Sequence, residues 1–460
     1  MTTYYLRIGP NQLLDGSLDG DLSSGDVDRV NRANQVIKDR LKEVRVRIGT
    51  LLKTDNVSFL LGSGASMGAG GVGLATIPLA LERMLHERKT DDVDWSEEYL
   101  EFFYGSLSFL LDERFELQVR TDALTNAREP AQAIPMNLEE YLSQLHAWCS
   151  GMLDGDANAT LKKGSNSLEV RRDICERLIR AINIGLTRLL DLPAPESKDG
   201  IEGHRRLIRK VLTRPLNLRR VNLFTLNYDT LIEQAADAEG AVLVDGFAGT
   251  LRRVFRPESY DLDFYFPAQT TEGRVHRFDR ALHLYKLHGS LAWRRCTEGW
   301  DNPYGLYATF VNPRTANDVV IYPSPQKYGN ALGMPYSELF RRFAAATAQA
   351  QSVLFVIGYS FGDAHVNALI RQALAIPSFI LVIVDPEPKN TFVRHLEEQA
   401  DERVWLIHGW ELGTFRAFVD KLLPDLRDEE ILRKVIATYQ ALALGMGDKT
   451  PSSLPEEEPS

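Results

Sequence analysis

Val57-Ser58-Phe59-Leu60-Leu61, followed at once by Gly62-Ser63-Gly64-Ala65-Ser66, is the stretch that decides the fold. Its apolar run is short and continuous, without the alternation of a half-exposed strand, and it ends in a glycine-rich turn. That is how a buried parallel strand enters a βα connection. The glycines let the backbone approach a pyrophosphate, and amides at a following helix start can bind its charge. The dinucleotide fingerprint G-x-G-x-x-G fails at its third glycine, where Met67 stands, and no Gly-Lys-Ser/Thr follows, which argues against a nucleoside-triphosphate P-loop. Taken alone, the stretch reads equally well as a plain tight turn.

Upstream, Val27, Val30, Ile37, Leu41, Val44, Ile48 and Leu51 recur at helical steps and predict one amphipathic helix packed on the core. Asn11 to Asp26 mixes Gly, Ser and Asp without period and reads as a flexible arm. Downstream, from Trp95 to about Leu212, helical spacing dominates (Leu138, Tyr141, Leu142, Leu145; Ile174, Leu178, Ile182, Leu186), with a polar stretch from Asp154 to Ser167 read as loop. Strand-like runs return at Val221–Thr225, Leu282–Leu287, Val319–Tyr322, Val353–Ile357, Phe379–Val384 and Val404–Ile407. The expected fold class is α/β: a Rossmann-type parallel sheet with a large helical insertion. The divisions are an arm over 1–26, the start of the core over 27–94, the insertion over 95–212, the rest of the core over 213–426, and a C-terminal helix with a disordered tail over 427–460. Ligands in such sheets bind beyond the carboxyl ends of the strands.

The 460 residues carry 53 Lys+Arg against 63 Asp+Glu, a net charge of −10, with 44% hydrophobic residues. Those fractions fit a soluble globular protein, and the acidic balance argues against non-specific nucleic-acid binding; any nucleic-acid link would be indirect. No apolar run approaches the roughly 18 residues of a membrane span, and Met1 to Pro10 lacks a secretory pattern, so a cytoplasmic protein is expected. Cys149, Cys175 and Cys296 are isolated in sequence and build neither a disulfide framework nor a four-cysteine zinc site. No metal is expected.

The strand ends carry the chemistry. Thr225-Leu226-Asn227-Tyr228-Asp229 places an amide and a carboxylate there; Asn227 can hold a water or a ribose hydroxyl, while both residues also suit helix capping. Lys286-Leu287-His288-Gly289-Ser290 exposes a histidine suited to general-base work. Gly358-Tyr359-Ser360-Phe361-Gly362-Asp363 is a second small-residue turn, and Asp385 follows the next strand as a ribose acceptor or a turn cap. Both Gly358–Gly362 and Gly64–Gly68 also match the G-x-S-x-G nucleophile elbow, and Asp385 and His408 complete a serine-hydrolase order. Against that reading, only about fifty residues separate Ser360 from His408, little room for the sheet beyond an elbow.

In order, these turns resemble the sirtuin family. Its G-A-G-x-S loop looks like Gly62 to Ser66, its T-Q-N-x-D motif like Thr225 to Asp229, its H-G motif like His288-Gly289, and its later glycine-serine turn like Gly358 to Ser360. Asp385 sits where the family places an adenosine-ribose contact. The resemblance spans about Val57 to Leu426, with Trp95 to Leu212 in place of the family's small helical module. It implies a sirtuin-like fold that takes NAD: Asn227 orients a water and the nicotinamide ribose, and His288 acts on the ribose hydroxyls or that water. Gly62, Gly64, Ala65 and Ser66 hold the pyrophosphate, Asp229 braces the loop, and Thr225, Gly358, Ser360 and Asp385 complete the NAD site.

Two departures matter. The zinc ribbon of sirtuin deacylases cannot form from three cysteines, and Leu226 replaces the usual Gln. The chain therefore looks like the bacterial antiviral branch, which hydrolyses NAD. That resemblance implies an NAD+ nucleosidase that depletes NAD in antiphage defence, with NAD as substrate and no zinc. Such an activity must be gated, here by homo-oligomerisation and a partner in trans such as a HerA-type ring ATPase, because little follows Leu426 that could form a sensor. The alternatives are an NAD-dependent protein deacylase, a non-catalytic NAD-binding scaffold and a serine hydrolase using Ser360.

Overall fold

The computed structural model describes residues 5–15, 21, 25–73, 76–87, 97–126, 131–152, 158–194, 196–266, 276–295, 304–309, 319–321, 334–428, 433 and 435–438. Nine strands form the central sheet: β1 (Tyr5–Ile8), β2 (Asn11–Asp15), β3 (Asn56–Leu61), β4 (Asn222–Thr225), β5 (Val242–Val244), β6 (Ala281–Lys286), β7 (Ser352–Ile357), β8 (Ile380–Val384) and β9 (Val404–His408). Their spatial order is β2-β1-β9-β8-β7-β3-β4-β6-β5. From β9 to β5 every pairing is parallel; β1 and β2 add antiparallel at one edge. The α/β class and the buried parallel sheet expected from the apolar runs are therefore present.

The strand order itself locates the site. From β3 the chain moves to one side of the sheet through β4, then returns to the other side of β3 with β7. A parallel sheet opens a crevice at the carboxyl ends where the order reverses, because the two following connections leave to opposite faces. Here that crevice lies between β3 and β7, whose last residues, Leu61 and Ile357, are in register, with Thr225 of β4 beside Leu61. Phe59 and Phe355 stack at 4.8 Å and lock the pair.

Eleven helices complete the framework used below: α1 (Val27–Leu51), α2 (Ile77–His86), α3 (Glu97–Leu111), α4 (Leu117–Thr125), α5 (Leu138–Gly151), α6 (Arg172–Leu190), α7 (Glu202–Val211), α8 (Leu231–Glu239), α9 (Tyr336–Thr347), α10 (Ala364–Leu374) and α11 (Thr391–Gln399). The predicted amphipathic helix is α1, capped by Asp26, whose carboxylate accepts from the amides of Asp28 and Arg29. Its buried Val44, Ile48 and Leu51 join Leu207, Ile208 and Val211 of α7 on one face of the sheet. The opposite face packs against α9, α10 and α11. The helical module has a separate core, including Leu81, Phe103, Tyr141, Leu145 and Leu178.

Several boundaries differ from the sequence reading. Asn11 to Asp15, read as part of an arm, forms β2: β1 pairs with β9 and buries Leu6 completely, and β2 then pairs with β1. Two sheet edges supply the backbone partners that the local composition does not reveal. The 154–167 stretch, read as loop, contributes to a hairpin of Asn158–Lys163 with Asn166–Arg171, in which only Leu168 and Val170 point inward fully. Helix α2 joins the core of the helical module and α7 the central sheet, so that module runs from α2 to α6 rather than over 95–212. Val319–Ile321 is a strand, but of a smaller antiparallel sheet beside the core. Of the expected C-terminal helix only residues 433 and 435–438 are described, and they are helical; the tail from 449 lies outside the described residues, as does Cys296. No described helix is long and apolar enough to cross a membrane.

Candidate active site

The loops after β3 and β7 meet back to back. The amide of Gly62 donates to Ile357 O at 3.0 Å and that of Gly64 to Gly358 O at 2.9 Å. A Cβ on Gly62 would lie 2.5 Å from Gly358 O, and one on Gly358, which sits at φ +63°, would lie 2.7 Å from Ala65 N. Glycine is required here for loop-on-loop contact. The amides of Ala65 and Ser66 are turned inward to Gly62 O and Ser63 O. Of the β3 loop, Gly62, Ser63 and Ser66 line the adjoining cavity, whereas Gly64 and Ala65 do not.

That cavity has a volume of about 670 Å³, within the roughly 300–1,000 Å³ of small-molecule sites. Its polar floor is made by Ser63, Ser66, Asn227, Tyr228, Asp229, His288, Ser360 and Asp363, all beyond the carboxyl ends of β3, β4, β6 and β7. Its other wall is apolar and belongs to the helical module: Ile77 and Pro78 of α2, Ile134 and Met136, Leu142 of α5, and Leu186 of α6. Among the described lining residues there is no lysine or arginine.

One side of the floor is a directed chain of hydrogen bonds. Asn227 Nδ2 donates to Gly62 O and to Ser66 Oγ, both at 2.9 Å. Because a carbonyl only accepts, the amide orientation is fixed and Oδ1 is left as the acceptor. Ser66 Oγ in turn donates to Asp229 Oδ2 at 2.6 Å, and Asp229 Oδ1 accepts from the amide of Leu231, the first residue of α8, at 3.1 Å. Thr225 closes the turn from below: its hydroxyl donates to Leu61 O and accepts from the amide of Asn227. The buried Lys286 at the end of β6 donates to the carbonyl of Asp229 and pairs with Glu233 of α8 at 3.0 Å. Burial pushes the Glu233 carboxyl up, and the Lys286 ammonium opposes that shift.

The other side is a histidine–carboxylate pair. His288 Nε2 lies 3.1 Å from Asp363 Oδ2. Asp363 Oδ1 accepts from the amides of His365 and Val366 as the cap of α10, so the carboxylate presents Oδ2 to the ring as an acceptor. The ring therefore turns an Nε2–H toward this acceptor, and Nδ1 is the ring nitrogen left for other contacts. The turn bearing Asp363 is held by Tyr359, whose hydroxyl accepts from the Asp363 amide at 3.0 Å. Burial pushes the Tyr359 phenol well up, so it stays a neutral partner.

The structure brings Gly62, Ser66, Asn227, Asp229, His288 and Ser360 to one cavity, with Thr225, Gly64, Ala65 and Gly358 as support behind it. Asp385 does not line it; its carboxylate accepts from the amide of Glu387 at 2.9 Å in a local turn, and burial raises its pKa. The serine-hydrolase alternative does not assemble. His408 is buried with its ring 4.4 Å from Tyr5 on the antiparallel edge and hydrogen-bonds no serine, while the hydroxyl of the second elbow, Ser66, goes to Asp229. In the sequence Asp363 stands only as the end of the Gly358–Asp363 turn; its cap position ahead of α10 is the signal that marks it. Lys286 and Ser63 were likewise legible only as neighbours of motif residues. Among the described residues, no group of three or more His, Cys, Asp or Glu side chains could hold a metal ion.

Among solved structures the chain is similar to a Sir2 homologue with a serine-to-alanine substitution in complex with ADP-ribose (14% identity, TM-score 0.30, 86% of this chain and 97% of that one). It is similar also to a Sir2 homologue–NAD complex (15%, 0.30, 85% and 94%), and to a Sir2 homologue with a histidine-to-asparagine substitution in complex with ADP-ribose (13%, 0.32, 86% and 97%). No curated protein matches the chain. Residues 221–409, which include Asn227, His288 and Asp363, match the model of the SIR2-like domain.

Proposed function

We propose that the protein is an NAD glycohydrolase, cleaving NAD with water to nicotinamide, ADP-ribose and a proton. The observation that carries this reading is the convergence of Asn227 Oδ1 and His288 on one cavity at the switch point of the parallel sheet. The SIR2-like match over 221–409 supports it. Nicotinamide leaves as a neutral molecule through a transition state with positive charge on the ribose, so positioning and charge stabilisation supply most of the acceleration. Asn227 Oδ1 accepts from the attacking water or a ribose hydroxyl. His288 Nδ1 takes a proton from a ribose hydroxyl or that water, with Asp363 holding the ring. Asp229 and Asp363 add negative charge to the floor, which favours a cation there. The pyrophosphate is met by the hydroxyls of Ser63 and Ser360, since the amides of Gly62, Gly64, Ala65 and Ser66 are already used.

We further propose that this activity is the NAD-depleting effector of an antiphage defence system, held in check until the chain oligomerises or meets a partner such as a HerA-type ring ATPase. The resemblance of the ordered motifs, the Leu226 departure and the three-cysteine count support that placement. The test is incubation of the purified protein with NAD, alone and with co-expressed candidate neighbours, resolving nicotinamide, ADP-ribose and cyclic product. Nicotinamide release lost in N227A and in H288A, with both variants folded, is expected. Activity retained in either overturns the mechanism, tight NAD binding without release points to a scaffold, and NAD-dependent turnover of acyl-lysine points to a deacylase.

A further inference from the structure

Cys149 and Cys175 are 26 residues apart in sequence, yet their sulfurs lie 2.9 Å from one another. Cys149 stands near the end of α5 and Cys175 in the opening of α6, where the two helices pack antiparallel. Arg172 ties these ends together, donating to Cys149 O at 3.3 Å and to Met152 O at 2.9 Å. Cys175 is fully buried and Cys149 is half-buried, so Cys149 is the more accessible member of the pair.

From this geometry we infer that Cys149 and Cys175 form a redox-active dithiol that hydrogen peroxide converts to an intramolecular disulfide. Closing the pair requires the sulfurs to move from 2.9 Å to about 2.05 Å, a shift that side-chain rotation supplies. The accessible Cys149 thiolate attacks one peroxide oxygen, forming a sulfenic acid and releasing hydroxide. Cys175 sulfur then attacks the sulfenic sulfur; its proton and the departing hydroxyl leave as water. Two thiols and one peroxide become one disulfide and two waters. The electrostatics order the roles: the sulfur contact with Cys175, aided by Arg172 and opposed by burial and Glu176, holds Cys149 below the ordinary thiol range, while the contact with Cys149 and burial push Cys175 up. Helices α5 and α6 also carry Leu142 and Leu186 of the cavity wall, so the bond staples the two helices of that wall at their far ends. The inference is independent of the reaction assigned to the cavity.

The test titrates thiols in the full-length protein under denaturing conditions before and after hydrogen peroxide, then maps the cross-linked peptide. The reduced chain gives three thiols; after peroxide one remains, Cys149 is linked to Cys175, and dithiothreitol restores three. In C175S the reaction stops at a sulfenic acid on Cys149 that dimedone traps, and in C149S the loss of thiols slows. Three thiols surviving peroxide in the wild-type protein, or a cross-link through Cys296 instead, overturns the inference whether or not the variants fold.

Discussion

The side-chain amide of Asn227 donates to the hydroxyl of Ser66 across 2.9 Å, joining the ends of two neighbouring parallel strands. The Ser66 hydroxyl donates its own hydrogen bond to Asp229, and the other Asn227 contact is to Gly62 O, which only accepts, so the amide cannot flip without losing both of its contacts.

Ser66→Ala removes that link and leaves the Asn227 amide and Asp229 each short of a partner, at about 1–3 kcal/mol per unsatisfied buried group. Nicotinamide release is expected to fall by about 10- to 100-fold in kcat, with KM little changed. Steady-state kinetics on NAD check this; wild-type kcat in the variant would show that Asn227 needs no such bracing.

Asp363 both caps α10 and holds His288, and the two jobs can be separated. Asn is as good a cap as Asp, so D363N keeps thermal stability close to wild type while the ring loses its carboxylate and turnover drops at least about tenfold. D363A loses the cap as well, at about 1 kcal/mol. Equal activity of D363N and wild type, measured beside a melting curve, would remove Asp363 from the machinery.

Gly358→Ala places a Cβ 2.7 Å from the Ala65 amide on a backbone at φ +63°. The left-handed conformation alone costs roughly 1–2 kcal/mol, and the clash adds to it. Urea unfolding should show a loss of at least that size; an unchanged midpoint would mean that the two loops are not packed as described.

His204, which is buried, and His283, which is partly buried, are both pulled down to about 4 by the loss of water around their rings. In the unfolded chain both titrate near about 6.5. Between those values the unfolded state binds more protons, so stability is fully present above about 6.5 and is lost as pH falls through 4, by up to about 3 kcal/mol per histidine. His204→Phe, beside Phe415 at 4.7 Å, removes one share. Unfolding free energies measured from pH 7 to pH 4 should fall less steeply in the variant, and an identical slope would contradict the burial argument.

The sequence by itself determined the parallel sheet and which loops stand at its active edge. A short apolar run followed by glycines is a local signal, because a buried strand and the sharp turn after it are specified by residues adjacent in the chain. Asn227 and His288 were legible for the same reason, each sitting just past such a run. What only the tertiary structure decided is who touches whom. Ser66 and Asp229 are 163 residues apart and His288 and Asp363 are 75 apart; their contacts arise from the order of β3, β4, β6 and β7 in the sheet, which no local pattern encodes. The same holds for Gly64 and Ala65, turned away from the cavity by the approach of Gly358, and for Asp385, which stays outside it. It holds again for Cys149 and Cys175, isolated along the chain and brought into contact where α5 packs against α6.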